Sequence, residues 1–160
     1  MKKFLFITVV AVLITSCGGT SKVAKQARKT FDGTWALNSV TYPQNTGEFD
    51  VTLFNEASAS CFENSTWTFV SNNNQGNYEI QGPGCNGGTN YFNWSVDEEN
   101  TPQGMYDFLL KPTNEKHKST TGDQGFRLNL KTLTQDTMVW EQTVSLEGKP
   151  FVIRMNFTRI

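Results

Sequence analysis

The stretch "FRLNLKT", Phe126 to Thr132, decides the fold because its apolar and polar side chains alternate one by one. Phe126, Leu128 and Leu130 occupy one parity, and charged or amide side chains occupy the positions between them. Successive side chains of a β-strand point to opposite faces of its sheet. The stretch is therefore predicted to be a strand with one face in the core and the other in water.

The same alternation recurs from Trp35 to Ile160, without a long stretch of helical periodicity. It predicts eight strands, at about 33–42, 65–71, 76–82, 90–97, 105–112, 125–133, 136–145 and 150–160. Between the first two, residues 49–55 are interpreted as a short extra strand or a strand extension, and 56–64 as a short helix or an irregular loop. Closing the sheet removes its bare edges, so an all-β, eight-stranded antiparallel up-and-down barrel is predicted. A sandwich of two sheets is the alternative.

The inward parity of these strands is rich in aromatic side chains. The residues expected to line the interior are Trp67, Phe69, Tyr78, Phe92, Trp94, Phe108, Phe126, Trp140 and Phe157. A barrel of eight strands is just wide enough to be filled by side chains or to hold one small ligand. Two functions stay open: binding a small hydrophobic ligand in an apolar cavity, and a filled barrel that serves as a structural or protein-interaction module of the cell envelope.

The first and last strands carry a matching pair of side chains. Gly33-Thr34-Trp35 opens the first strand, and Arg159 lies near the end of the last one. In a closed barrel these two strands pair, so the guanidinium of Arg159 can stack on the indole of Trp35. We therefore expect Trp35 and Arg159 to meet at one end of the barrel.

The Gly-x-Trp start, the eight alternating strands and the late arginine together resemble the lipocalins, in particular the lipocalin-like lipoproteins of Bacteroidetes. The resemblance covers about residues 31–160 and implies that Trp35 and Arg159 pack at the closed end of the barrel. It also favours ligand binding over the filled module. The stretch "TLTQDTMVW", Thr132 to Trp140, departs from the family's Thr-Asp-Tyr motif, so the resemblance supports a lipocalin-like barrel more than a lipocalin's ligand site.

The N-terminus "MKKFLFITVVAVLITSC", Met1 to Cys17, has two lysines before an uncharged apolar run that is too short for an ordinary transmembrane helix. Its end, Ile14-Thr15-Ser16-Cys17, resembles the lipobox of bacterial lipoproteins, in which the cysteine becomes the mature N-terminus and carries acyl chains such as palmitate. Residues 1–16 are thus expected to be a lipoprotein signal peptide, with Cys17 lipidated. An ordinary cleaved signal with unmodified Cys17 is the alternative.

The residues after Cys17 indicate where the protein resides. Residues 17–30 are rich in Gly, Ser, Lys and Arg and are interpreted as a flexible tether before a barrel domain at 31–160. Gly18 stands where the lipoprotein resemblance would place an Asp for inner-membrane retention, so the outer membrane is favoured, with its face left open. Removing residues 1–16 changes the net charge from −1 to −3. The chain has no basic stripe for nucleic acid, and its expected partners are the membrane, a small apolar ligand and an envelope protein.

Lipidation of Cys17 leaves two of the three cysteines, Cys61 and Cys85, as a pair in an oxidising compartment. If residues 65–71 and 76–82 form a hairpin about Asn73, residues whose numbers sum to 146 face each other, as these two cysteines do. A disulfide between them is therefore predicted. Two cysteines and a distant His117 make no metal-ligand set, and neither a metal nor a cofactor is expected.

The sequence does not favour an enzyme. His117 lies in the polar stretch "NEKHKSTTGDQG", Asn114 to Gly125, and is interpreted as a solvated loop residue. No serine or free cysteine has a visible base partner. The acidic run Asp97-Glu98-Glu99 is interpreted as a solvated turn, with a cation or paired-carboxylate site as the alternative.

Overall fold

A computed structural model describes residues 22–97 and 106–160. Its helices and strands are, in chain order, α1 (Lys22–Phe31), β1 (Gly33–Thr41), β2 (Thr52–Leu53), β3 (Ala57–Ser58), α2 (Ala59–Phe62), β4 (Thr66–Val70), β5 (Gln75–Ile80), β6 (Gly88–Asp97), β7 (Tyr106–Thr113), β8 (Phe126–Leu133), β9 (Thr137–Leu146) and β10 (Lys149–Arg159). The eight predicted strands are confirmed, each bound lying within two residues of its expected place.

Eight of the strands form a closed antiparallel barrel in the order β1-β10-β9-β8-β7-β6-β5-β4. β1 pairs with β10 on one side and with β4 on the other. Each barrel strand therefore has a neighbour on both sides, which removes the bare edges of an open sheet. The predicted up-and-down barrel is confirmed, and the two-sheet alternative is wrong.

The barrel has two distinct ends, which the strand directions define. The closed end contains Gly33, Arg159 and the turns at 71–74 and 134–136. The open end contains the connections at 81–87, 114–125 and 147–148. The alternation predicted for Phe126 to Thr132 is confirmed in β8: Leu128 and Leu130 are buried, and Arg127 and Lys131 are exposed.

Helix α1 corrects the expectation of a flexible tether, which is wrong for residues 22–30. Ala24, Ala27 and Phe31 lie on one helical face and are buried, and Thr30 is 7% exposed. An isolated helix of this length is marginal in water, so its packing on the barrel holds it in place. Composition alone missed it because two alanines and one phenylalanine are enough apolar surface when a barrel stands beside them. Residues 17–21 lie outside the described part of the chain.

The segment between β1 and β4 lies across the open end and contains β2, β3 and α2. The predicted disulfide is confirmed: Cys61 and Cys85 are bonded, with their Cα atoms 5.7 Å apart. The register behind that prediction is wrong by one residue, because Trp67 pairs with Tyr78 and the numbers of paired residues sum to 145. Cys61 belongs to α2, so the disulfide ties this segment to the β5–β6 connection rather than joining two strand ends.

Within residues 22–97 and 106–160, no helix combines the length and the apolar character that a membrane crossing requires.

Candidate functional site

The expected ligand-lining side chains fill the barrel interior. Eight of the nine are at most 4% exposed and pack against one another: Trp67, Phe69, Tyr78, Phe92, Trp94, Phe108, Trp140 and Phe157. Phe126 is half-buried. The structure therefore places the predicted inward set inside the barrel.

Ring contacts cross the barrel rather than only following its wall. Trp67 of β4 meets Trp140 of β9 edge to face at 5.4 Å between ring centroids. Phe69 of β4 meets Phe108 of β7 at 5.9 Å, and Phe108 stacks on Trp140 at 5.0 Å. Such distances are those of aromatic pairs in direct contact. The middle of the barrel is thus occupied by the chain's own rings, as the filled alternative predicted.

Gly76 of β5 has no side chain, and the aromatic rings inside the barrel occupy the space that this leaves. A Cβ on Gly76 would lie 2.3 Å from Cζ of Phe92, the residue with which Gly76 pairs across β5 and β6. Real Cβ atoms do not approach another carbon so closely, so the Phe92 ring occupies the space that any larger residue would need. Gly76 is therefore part of the core and not a turn residue.

Phenylalanines from outside the barrel strands plug both ends. At the closed end, Phe31 of α1 is fully buried and contacts Phe69 and Phe108, with centroids 5.6 and 5.0 Å away. At the open end, Phe54 and Phe62 pack on Trp67, at 5.9 and 6.3 Å. These plugs continue the aromatic filling beyond the strands.

Arg159 and Trp35 meet at the closed end, as the closure of the barrel predicted. The guanidinium carbon lies 4.3 Å from the centroid of the Trp35 ring, and Trp35 is fully buried. Arg159 also donates hydrogen bonds to the carbonyls of Thr30, Asp32 (2.7 Å) and Gln135 (2.5 Å). A cation suits the carbonyls at a helix C-terminus, so Arg159 fastens α1, β1 and the β8–β9 turn together.

A groove of about 550 Å³ lies at the open end, outside the filled interior. We call it the open-end groove; it is lined by Val40, Tyr42, Glu48, Phe49, Asp50, Ser58, Ala59, Ser60 and Glu63. Tyr42 and Phe49 pack edge to face at 5.2 Å, and both contact Phe151 of β10. This aromatic group forms an apolar wall that is anchored to the barrel.

The remaining lining of the groove is acidic and hydroxylated. Glu63 accepts a hydrogen bond from the Val40 amide at 2.8 Å, which fixes the orientation of its carboxylate. Burial raises the pKa of Tyr42, and the nearby charges of Glu63 and Asp50 raise it further. The Tyr42 hydroxyl therefore keeps its proton at neutral pH. The groove offers aromatic faces beside negative charge, an arrangement that attracts cations.

A second groove, of about 540 Å³, lies on the outer side of β6, β7 and β8, next to the 114–125 connection. Two of the expected interior residues, Trp94 and Phe126, border it. Lys111 and Asp123 form an ion pair at its edge, 2.9 Å apart. Phe126 thus belongs to the wall of the barrel and borders this outer groove, whereas Trp94 borders the groove and also packs inside the barrel on Phe69 and Phe108.

His117 and Asp97, the titratable residues singled out from the sequence, both have partners in the structure. His117 is half-buried rather than fully solvated: its ring meets Tyr91 edge to face at 5.8 Å, and its carbonyl accepts a hydrogen bond from Asn93. Asp97 pairs with Arg127 at 2.7 Å. In the described segments, no group of three or more His, Cys, Asp or Glu is arranged to hold a metal ion. Cys17, Glu98 and Glu99 lie outside the described residues.

Sequence reasoning missed the open-end groove and both plugs. The residues of the groove come mainly from "GEFDVTLFNEASASCFEN", Gly47 to Asn64, which has no period of its own. The density of phenylalanines in this stretch was the available signal, because three large apolar rings are unusual in an exposed loop. Phe31, directly before the Gly-x-Trp start, gave the same signal at the closed end.

The family model that matches the chain agrees with this geometry. A family model described as a lipocalin-like domain matches residues 31–140. Among known structures, the chain is similar to the crystal structure of a lipocalin-like protein from Bacteroides uniformis, with a TM-score of 0.48 and 12% sequence identity, over 82% of this chain and 99% of that one. No curated protein sequence matches the chain.

Proposed function

Because the chain belongs to the lipocalin-like domain family, we propose that it is a lipid-anchored envelope protein that binds a small amphiphile at the open end of its barrel. The observation that carries the binding function is the open-end groove beside a filled interior. Its volume lies within the range of small-molecule sites, roughly 300–1,000 Å³. We therefore propose the ligand site at the mouth of the barrel and not along its axis.

The anchor rests on the N-terminal sequence. Lys2 and Lys3, the short apolar run and the small residues before Cys17 support a lipoprotein signal peptide over residues 1–16. Acylation of Cys17 with more than one chain would give stable membrane attachment. With Gly18 after the cysteine, we place the protein at the outer membrane.

The lining of the groove defines the chemistry of the ligand. An entirely apolar molecule would force the carboxylates of Glu48, Asp50 and Glu63 to lose water without gaining a positive charge in exchange, which is costly. A molecule with an apolar body and an amine or other cationic head avoids that cost, because the body can cover Tyr42 and Phe49 while the head faces the carboxylates. We therefore narrow the small hydrophobic ligand expected from sequence to a cationic amphiphile.

A second function is supported by the filled interior itself. A barrel whose centre is packed with its own aromatic rings is a rigid body that needs no ligand for stability. Such a barrel would act as a structural or protein-interaction module of the envelope. No catalytic role is proposed.

The test compares two ligands of equal length and opposite charge. Dodecylamine and dodecanoate are titrated into the full-length protein, and binding is measured by tryptophan fluorescence and native mass spectrometry. Dodecylamine should bind in a one-to-one ratio and dodecanoate should not. Phe49→Ala should weaken binding by about three- to fivefold, as expected for loss of one cation–π contact.

Two variants separate charge from shape. Glu63→Gln keeps the size of the side chain and its acceptor for the Val40 amide but removes the charge, and it should weaken the amine only. Leu146→Ala, an exposed position near the same end, is the matched control and should change neither ligand. No binding of either ligand would favour the filled module, whereas equal binding of both would overturn the preference for a cationic head and leave a small hydrophobic ligand.

A further inference from the structure

We propose that the exposed face of α1 is a docking surface for anionic lipid headgroups, so that the closed end of the barrel sits on the membrane and the open-end groove points away from it. This inference rests on the proposed lipidation of Cys17 and adds an orientation to it. Its occupant is the lipid surface that carries the anchor.

The three lysines of α1 lie on a single face, and the half-buried Arg28 lies between that face and the buried one. Lys22, Lys25 and Lys29 are exposed, at the three- and four-residue spacing that places side chains on the same side of a helix. Gln26, also exposed, lies among them. The opposite face carries the buried Ala24, Ala27 and Phe31. Because that face packs on the barrel, the lysines are fixed on the outward side of the closed end.

The stability of helix α1 accounts for Lys29 in its last turn, where a cation suits the helix dipole, but not for Lys22 at its start. Its first turn has no acidic residue and begins with Lys22, although the positive end of a helix dipole favours acids there. Two carboxylates described at the closed end are engaged elsewhere: Asp107 pairs with Arg127, and Asp32 accepts a hydrogen bond from the Ser71 amide. The lysines therefore present positive charge outward at the closed end, where an anionic surface would complement it.

The short chain between the anchor and α1 identifies the anionic surface as that of the membrane holding the anchor. Four residues, 18–21, separate Cys17 from Lys22. Five steps of fully extended chain span at most about 18 Å. If Cys17 carries acyl chains in the bilayer, the start of α1 lies within that distance of the headgroups. Each lysine that reaches an anionic surface favours docking by about fivefold.

Docking through α1 determines which way the open-end groove faces. α1 and the open-end groove lie at opposite ends of the barrel, because β1 runs from Gly33 beside the helix to Thr41 beside the groove. Docking through α1 therefore leaves the groove open to the aqueous phase. A ligand would arrive from solution and not directly from the bilayer that holds the anchor.

The experiment measures lysine accessibility in the full-length, lipidated protein. It is placed in vesicles of phosphatidylethanolamine with phosphatidylglycerol, or in phosphatidylcholine alone, and treated briefly with an amine-reactive reagent before peptide mass spectrometry. Lys22, Lys25 and Lys29 should be labelled about fivefold less in the anionic vesicles. The protection should weaken in high salt. Lys149, exposed at the open end, is the internal control and should be labelled equally in both.

A charge variant tests the same surface without relying on labelling alone. Lys25→Gln with Lys29→Gln should raise the labelling of Lys22 in anionic vesicles, whereas Lys116→Gln with Lys118→Gln, in the open-end connection, should not. Both pairs are exposed, and circular dichroism checks that each variant is folded.

The outcomes separate this proposal from the anchor on which it rests. The same spectra report whether Cys17 carries acyl chains. If it does not, both the anchor and the docking are overturned. If it does, and Lys22, Lys25 and Lys29 are labelled like Lys149, the docking alone is overturned. Protection in native envelopes but not in lipid vesicles also overturns it, and identifies an envelope protein as the occupant instead.

Discussion

The two ends of the barrel are closed by different means. At the closed end, the guanidinium of Arg159 stacks on Trp35 and donates hydrogen bonds to three backbone carbonyls, so a regular helix and two strands meet at a single side chain. At the open end, an irregular segment lies across the strands, held by buried Phe54 and Phe62 and by the disulfide of Cys61. The first arrangement favours rigidity, whereas the second leaves a groove at its margin.

The difference shows how one barrel can combine a filled interior with a candidate site. Because a regular helix and strands form the closed end, its backbone has little freedom to form a binding site of a different shape. A segment with short strands and a four-residue helix can vary its side chains without disturbing the barrel, as connecting loops on a scaffold generally do. The open-end groove lies in that segment, while the closed end carries the surface we assign to the membrane.

Trp35→Ala should produce the largest effect and break the closed end. The indole is fully buried, donates a hydrogen bond to the Phe31 carbonyl and carries the guanidinium of Arg159. Removing a side chain of this size from a core costs about 3–5 kcal/mol. Urea unfolding measures the loss, with exposed Ile160→Ala as the control. A change no larger than that of the control would contradict the burial of Trp35.

Removing the disulfide should produce the next largest effect and loosen the open end. Cys61 and Cys85 are 24 residues apart in sequence, and the chain-entropy model assigns a loop of that size about 3–4 kcal/mol. Cys61→Ala with Cys85→Ala should lower the unfolding free energy by this amount, as measured by urea unfolding. The control is the unchanged protein treated with a reductant, which should match the variant. A negligible loss would show that Phe54 and Phe62 hold the segment unaided.

The two ends of the barrel also differ in how much of their structure the sequence predicts. Strand alternation predicted the barrel and its closure, and closure placed Trp35 beside Arg159 although they are distant in the chain. The cysteine count predicted the disulfide despite a register wrong by one residue. The barrel follows from the alternation of apolar and polar residues along the chain, and the disulfide follows from the number of cysteines.

The remaining features depend on tertiary packing, which no local pattern contains. α1 resembles a polar tether until the barrel supplies a surface for Ala24 and Ala27. Whether aromatic rings fill a barrel or line a cavity depends on their contacts across it, such as that of Trp67 with Trp140. The open-end groove was missed for the same reason, since it forms between a segment without periodicity and the end of β1.

The smallest expected effect concerns a hydrogen bond that joins the barrel to the open-end segment. Tyr78 of β5 donates its hydroxyl to Glu56, and burial, followed by this hydrogen bond, raises its pKa above the usual value. The folded state therefore favours the protonated phenol. An unfolded chain releases that proton above about pH 10. The contribution of Tyr78 to stability is thus present below pH 10 and is lost as the pH rises further.

Tyr78→Phe tests this contact within the open end. The variant should lose about 1.5–3 kcal/mol at neutral pH, as expected for a hydrogen bond to a charged group. Above pH 10 its unfolding free energy should fall less steeply with pH than that of the unchanged protein, because one tyrosine with a raised pKa is gone. Tyr91→Phe, which leaves the contact with Glu56 intact, is the control, and urea unfolding across the pH range is the measurement. Identical slopes for Tyr78→Phe and the unchanged protein would mean that the open-end segment is held to the barrel by Phe54, Phe62 and the disulfide, without help from Glu56.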